Sequence, residues 1–427
     1  MEGGDALLAS VKEETAKSSV KVKKAFKDHY EARFNKPTKA RLKLSFSFPN
    51  RLSTDQVVDL ERYVSHDEIR LAVWDCGVNK SPGPDGFTFE FFRKFWKVIG
   101  PDFCEAVEHF FKQGSFSKGC NSSFIALIPK VLDAKFVNDY RPISLIGCIY
   151  KVVTKILASR LAMVIAGLVS NTQSAFVAGR QILDGPFILN EVLDWCKRKK
   201  KKALFFKVDF AKAYDSVRWD FLLDVLEAFG FGSTWCTWIR GISDFAKASL
   251  LVNGSPSDEF HIHRGLKQGD PLSPFLFILV MEALHLSVCK AVDEDVCSSG
   301  ENKFHKLLGI RCLLGRRRGS WVSSFFAIIE RSSYSGFGVS FREMILCGFC
   351  VIQAVHGVRL FLIQFVMVSL LEFDFDGSQS CFKSSGFDFG SIAIIRYRGM
   401  VNLLVLGKRL GLGIFPCCDV VVAFVCP

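Results

Sequence analysis

Apolar residues over the first 311 positions fall into helical stripes and short strand-like runs, divided by Gly and Pro. From Tyr150 to Val169, the residues Val153, Ile156, Leu157, Leu161, Val164, Ile165 and Leu168 follow the three-four spacing of one helix face, with Lys151, Lys155 and Arg160 off the stripe. A helix with one buried face is predicted there. Leu60 to Gly77 predicts an amphipathic helix closed by its glycine, and Phe87 to Ile99 a second that stops at Gly100-Pro101. Val217 to Phe229 predicts a helix with Ser216 as N-cap and Gly230 after its end, and Phe275 to Val288 an apolar helix opened by Ser273 and Pro274. Ser123 to Pro129 and Ala203 to Val208 read as strands. Ala248 to His263 reads as a hairpin turning at Asn253-Gly254. The stretch Asn79 to Gly86, NKSPGPDG, is too rich in Pro and Gly for helix or strand and predicts an ordered turn. The Lys-rich segment Val20 to Phe34 predicts a helix without a stripe sufficient for a domain, hence a linker or lead-in.

Composition changes this picture at one place. Residues 1–311 carry 44 Lys+Arg and 36 Asp+Glu, a mixed charged surface, whereas residues 312–427 hold no Thr, one Asn, two Lys, seven Cys and fourteen Phe. The tail also loses helical and strand periodicity, so a shifted reading frame or a retained intron explains it better than a native domain. Met344 to Leu371 is long and mostly apolar, but Gln353, His356, Arg359 and Gln364 interrupt it. A central Arg costs about 2.5 kcal/mol or more on membrane insertion, which argues against a spanning helix and gives no case for membrane association. The four divisions expected are a polar lead-in at 1–59, a helical region at 60–122, a mixed region at 123–311 and the aberrant tail at 312–427.

The net charge of +12 favours a polyanionic partner such as nucleic acid. An acidic start without an apolar core, MEGGDALLASVKEE, argues against secretion, and the expected location is intracellular, nucleus or cytoplasm. The fifteen Cys show no regular spacing and read as reduced thiols. Cys347 and Cys350 have His356 nearby but no second pair at zinc-site spacing.

Candidate chemistry concentrates in two segments. In FFKVDFAKAYDSV, Phe205 to Val217, Asp209 stands at the carboxyl end of an apolar strand, where a carboxylate projecting into a cleft suits a hard divalent ion. In RGLKQGDPLSP, Arg264 to Pro274, Gly265 and Gly269 permit close backbone approach around Gln268. With SPGPDG, LIPK, DYRPISL and QSAFVAGRQILD upstream, these segments resemble the reverse transcriptase of non-LTR (LINE-type) retrotransposons. The resemblance covers Trp74 to Leu308, about 55% of the chain, and the order of SPGPDGF and DYRPISL favours it over group II intron maturases.

The resemblance implies an α+β fold, a right-hand polymerase palm and fingers, here with an incomplete palm and an unassigned C-terminal tail. It implies template-directed nucleotidyl transfer with two Mg²⁺ ions, RNA template, DNA primer and deoxynucleoside triphosphates. By resemblance, Asp209 is the catalytic metal ligand, with Phe210 lending a backbone carbonyl. Tyr214 lies under the sugar of the incoming nucleotide and selects against a 2′-hydroxyl, while Gln268 and Gly269 line the nucleotide pocket. Arg141 contacts the triphosphate, Lys130 is a second candidate for that work, and the guanidinium fork suits it. Arg180 and Gln181 belong to the block that grips template or primer, and the run Lys197 to Lys202, with Lys199 and Lys200, is either a solvated loop or a phosphate-contacting edge. Asp215 is expected to cap or brace the next helix.

The resemblance also predicts a hairpin bearing two adjacent aspartates, and no two Asp are adjacent in this chain. Phe373-Asp374-Phe375-Asp376 does not replace it, because alternate residues of a strand face opposite ways. No thumb and no endonuclease is recognisable. The expectation is therefore a reverse transcriptase domain without activity; the alternative is a noncatalytic nucleic-acid-binding remnant of a retroelement.

Overall fold

The computed structural model describes residues 20–37, 44, 47–181, isolated positions between 187 and 198, 203–209 and 212–293, then strands at 307–317, 320–330, 364–369, 392–397, 400–405 and 421–426. The strand at 203–209 and those from 307 onward are described by their backbone. Two compact units emerge, residues 1–168 with 214–278, and residues 169–213 with 279–427. Most of residues 344–371 and the Cys347, Cys350 and His356 group lie outside the described residues.

The first unit begins with helix α1, residues 20–34, then α2 (Thr54–Glu61), α3 (His66–Asp75), α4 (Phe89–Lys94) and α5 (Trp96–Gln113). The single helix expected over Leu60 to Gly77 is broken in two. Ser53 and Ser65 each accept a backbone N–H as N-caps, so local capping competes with continuous helix. The break is also held from a distance by Arg160, 1% exposed. Its guanidinium donates to Glu68 Oε1 and Oε2 at 2.9 and 2.8 Å and to the carbonyls of Leu60 and Arg62 at 2.9 Å each. Arg160 thus departs from its expected place off the stripe, because the connection between α2 and α3 offers every acceptor a buried guanidinium requires.

The expected stop at Gly100-Pro101 is likewise absent. Pro101 falls in the second turn of α5, where its missing N–H forfeits a single helical bond, and the helix runs on to Gly114 at φ +69°. Gly100 sits under the indole of Trp96, where a Cβ would lie 2.9 Å from the ring.

Strand β1 (Ser122–Pro129) pairs antiparallel with β2 (Tyr140–Ile146), and Arg141 lies opposite Ile128. After β2 comes α6 (Cys148–Leu168), close to its expected bounds. The turn NKSPGPDG presses on this junction: a Cβ on Gly83 would lie 2.4 Å from the Ile146 carbonyl, and Asp85 Oδ2 accepts the Cys148 N–H at 2.5 Å.

The second unit holds β3 (Ala203–Asp209), which ends at Asp209 as expected. In the first unit α7 (Ala213–Ser216), α8 (Trp219–Phe229) and α9 (Ser233–Ser243) follow. Ser216 closes α7 instead of capping α8, whose N-cap position is Arg218, while Gly230 ends α8 at φ +84°. Strands β4 (Lys247–Val252), β5 (Ser255–Pro256) and β6 (Phe260–His261) form the expected hairpin, with Asn253 and Gly254 at positive φ. β4 runs parallel to β1, giving the order β2-β1-β4-β5 with β6 also on β4.

Helix α1 packs on this sheet. Tyr30 and Phe34 are buried with Ile125, Ala248, Leu250 and Phe260, and Phe26 leans on the same cluster. The expectation of a polar lead-in missed this stripe, whose four-residue spacing of Phe26, Tyr30 and Phe34 lays three rings on one face. Helix α10 (Ser273–Asp293) follows the hairpin.

In the second unit, β7 (Leu307–Arg317), β8 (Ser320–Glu330), β9 (Gln364–Ser369) and β12 (Val421–Cys426) join β3 in the order β7-β8-β3-β12-β9. β10 (Ile392–Tyr397) and β11 (Met400–Val405) pair separately. β7 continues across position 312, where the composition changes. Among the described residues no helix is long and apolar enough to cross a membrane.

Substituting Gly241→Ala is expected to destabilise the chain by about 3 kcal/mol, since the added carbon would lie 1.8 Å from the Gly114 carbonyl oxygen where α9 crosses the end of α5. Urea denaturation of the two forms checks this.

Candidate functional site

The turn Arg264 to Pro274 is fastened to the α7 segment by backbone. Gly265 N–H donates to Val217 O at 2.7 Å and Leu266 N–H to Tyr214 O at 2.8 Å. Gly265 adopts φ +95°, and a Cβ there would lie 2.9 Å from the Asp215 carbonyl oxygen, so the approach requires glycine. The other side of the turn meets β2: Ser144 N–H donates to Gln268 O at 2.7 Å, and Gly269, at φ +108°, leaves only 3.0 Å between a built Cβ and Ser144 O.

Asp215 lies at the centre. Its side chain is 5% exposed, and Oδ2 receives Arg33 Nη1 of α1 at 3.2 Å while Oδ1 receives Gln268 Nε2 at 3.0 Å. It therefore braces the glutamine turn and α1. Arg33 also stacks its guanidinium 4.5 Å above the Tyr30 ring and lies 2.8 Å from His29 Nε2. Arg264 Nε donates to Arg33 O at 2.7 Å.

Further cations gather around this carboxylate. Lys130 bonds Asn138 O at 2.9 Å, and partial burial of its ammonium, then repulsion from Arg33 and Arg141, pulls its pKa below the ordinary lysine range. Burial lowers the pKa of Arg141, and burial followed by repulsion from Arg218 lowers that of Arg264. Arg218 is itself paired with Asp220 at 2.7 Å. Mutual repulsion among half-buried cations is relieved by an anion, and a triphosphate has the charge to do so. The ring of Tyr214 stacks on Phe277 of α10 with centroids 4.9 Å apart and planes 14° apart, and burial raises its phenol pKa.

The structure thus brings together Lys130, Arg141, Tyr214, Gln268 and Gly269 in the first unit. Arg33, Asp215 and Lys267 join them without having been singled out as ligand-binding residues. Lys267 Nζ donates to Asn121 Oδ1 at 2.8 Å and to Asn121 O at 3.1 Å, and sits 4.0 Å above the Tyr150 ring.

Asp209, Arg180 and Gln181 belong to the second unit. Arg180 Nη1 donates to the carbonyls of Ser170 and Gln173 at 2.6 Å each, which orders the loop after α6. Glu282, whose pKa burial raises to about 7, accepts Ser170 N–H at 3.0 Å. Gln181 is exposed. Phe210, Lys199 and Lys200 lie outside the described residues.

A two-ion site needs several carboxylates around Asp209. In register, Asp209 on β3 faces Ser324 on β8, and the residues beside that serine are Ser323 and Phe325. Among the described residues no three His, Cys, Asp or Glu side chains cluster as metal ligands.

Residues 128–299 match the family of reverse transcriptases (RNA-dependent DNA polymerases). Similar proteins include the transposon TX1 uncharacterized 149 kDa protein of Xenopus laevis, 34% identical over 52% of this chain and 17% of that protein. The Pol polyprotein of the type-2 retrotransposable element R2DM of Drosophila melanogaster is 30% identical over 48% of this chain and 19% of its own length. That of the type-1 element R1 of Bradysia coprophila is 26% identical over 69% and 30%. This segment is therefore a reverse transcriptase domain of the LINE type, with the mixed helix and sheet of a palm-and-fingers polymerase. The family uses template, primer and deoxynucleoside triphosphates, and generally divalent metal ions. The chain spans less than a third of the length of each of these three relatives.

One pH dependence follows from this site. Burial, against the opposing field of Asp270, lowers the Lys267 pKa from 10.5 to about 7. Between those values the unfolded chain binds more protons than the folded one, so stability rises with pH from 7 towards 10.5 and is lost again as pH falls to 7. Urea midpoints measured across this window should rise for the unaltered chain, and Lys267→Met should flatten the rise.

Proposed function

We propose that this chain is the fingers and palm portion of a LINE-type reverse transcriptase that holds a deoxynucleoside triphosphate and primed template without joining them. The observation that supports a loss of activity is that no two Asp are adjacent in the sequence, with Ser324 standing in register with Asp209 on the neighbouring strand. Arg141 and Lys130 supply the charge for a triphosphate, and their lowered pKa values, set by burial and for Lys130 also by neighbouring cations, support a site built for an anion. Gln268 and Gly269, pinned to β2 through Ser144, face the nucleotide, and Tyr214, backed by Phe277, limits room at its sugar. In the second unit, Arg180 holds the Ser170 loop against the template, and the cations from Lys197 onward contact its phosphates.

The tail from Cys312 is read here as a shifted frame or a retained intron. Translating the genomic DNA beyond codon 311 in the other two frames should reveal an aromatic-Ala-Asp-Asp segment; its absence from both would leave the frame-shift explanation without support.

Purified full-length chain, given primed RNA, deoxynucleotides and Mg²⁺, should extend no primer. Extension that disappears in Asp209→Ala would overturn this reading. A fluorescent deoxynucleotide should still bind, and Arg141→Ala should weaken that binding roughly tenfold, the scale of one charge-assisted contact of about 1.5 kcal/mol.

A further inference from the structure

We infer that Asp215 is a positioning residue for Gln268, held by Arg33, so that α1 belongs to the nucleotide-binding apparatus. The inference rests on the nucleotide-binding reading above and deepens it.

Each carboxylate oxygen meets a donor from a distant part of the chain. Oδ2 faces Arg33 Nη1 at 3.2 Å and Oδ1 faces Gln268 Nε2 at 3.0 Å. Both partners of the ion pair are nearly closed to solvent, at 9% and 5% side-chain exposure. A carboxylate enclosed to this degree persists only where donors meet it. Arg33 is in turn fixed from several sides, by the Tyr30 ring below it, by His29, and by Arg264, which bonds its carbonyl.

Backbone bonds already place the glutamine turn: Gly265 to Val217, Leu266 to Tyr214, and Ser144 to Gln268. What they leave undecided is the side-chain amide. A primary amide has a donor end and an acceptor end of nearly the same shape, and its orientation is set by what it meets. Asp215 is an acceptor only, so it holds the NH₂ end and turns Gln268 Oε1 the other way, as an acceptor for the bound nucleotide. Without Asp215 the amide can reverse. Arg33 holds the carboxylate oxygens in place.

The experiment titrates an N-methylanthraniloyl deoxynucleotide into the full chain bound to primed template. Asp215→Asn and Gln268→Met should each weaken binding roughly tenfold, and the double variant should bind no more weakly than Gln268→Met alone. Arg33→Gln, which leaves the carboxylate in place, should weaken binding only when Gln268 is present. Unchanged binding by Asp215→Asn, or a further loss in the double variant, would overturn the inference while leaving the nucleotide site intact. Failure of the unaltered chain to bind would overturn both. If Asp215→Asn does not fold, Arg33→Gln decides, and unfolding of both variants assigns the pair to stability alone and likewise overturns the inference.

Discussion

A single enclosed carboxylate, Asp215, ties together three segments that are far apart along the chain. It joins α1 through Arg33 and the glutamine turn through Gln268, while its own backbone lies against Gly265. A buried charge cannot be left with one donor removed without a large penalty, so the three segments must be assembled together. Apolar packing lays α1 on the sheet and backbone bonds place the turn, and this one group joins the two through their side chains. The family-like signature segments are thereby made into a site by a helix that carries no signature of its own.

The same logic recurs at Arg160. A guanidinium 1% exposed draws its acceptors from Glu68 and from the carbonyls between α2 and α3, turning what would be one helix into two. In both places a polar group buried in the first unit fixes chain direction more sharply than apolar packing does. Apolar contacts tolerate small displacements; a forked donor facing specific carbonyls does not.

The glutamine turn and its neighbouring cations lie in the first unit, and Asp209 lies in the second. Tyr214 is bonded to the glutamine turn through Leu266 and stacks on Phe277, and Gln268 is bonded to Asp215. Asp209 keeps its place at the end of β3, yet the adjacent strand brings Ser324 to it.

Much of the architecture was legible in the residues themselves. Helix α6, strand β3 with Asp209 at its end, the Asn253-Gly254 turn and the αL glycine after α8 were all readable, because periodicity and positive φ are local properties. The reverse transcriptase segments were readable for the same reason, as short runs whose order survives without knowledge of their contacts. Only the tertiary structure decided that Arg33 and Asp215 meet across 182 positions, that Arg160 is buried, that Pro101 lies within a helix and that Ser324 faces Asp209. Each of these depends on a long-range partner. The free energy of burying a polar group is set by what surrounds it, which no local pattern encodes.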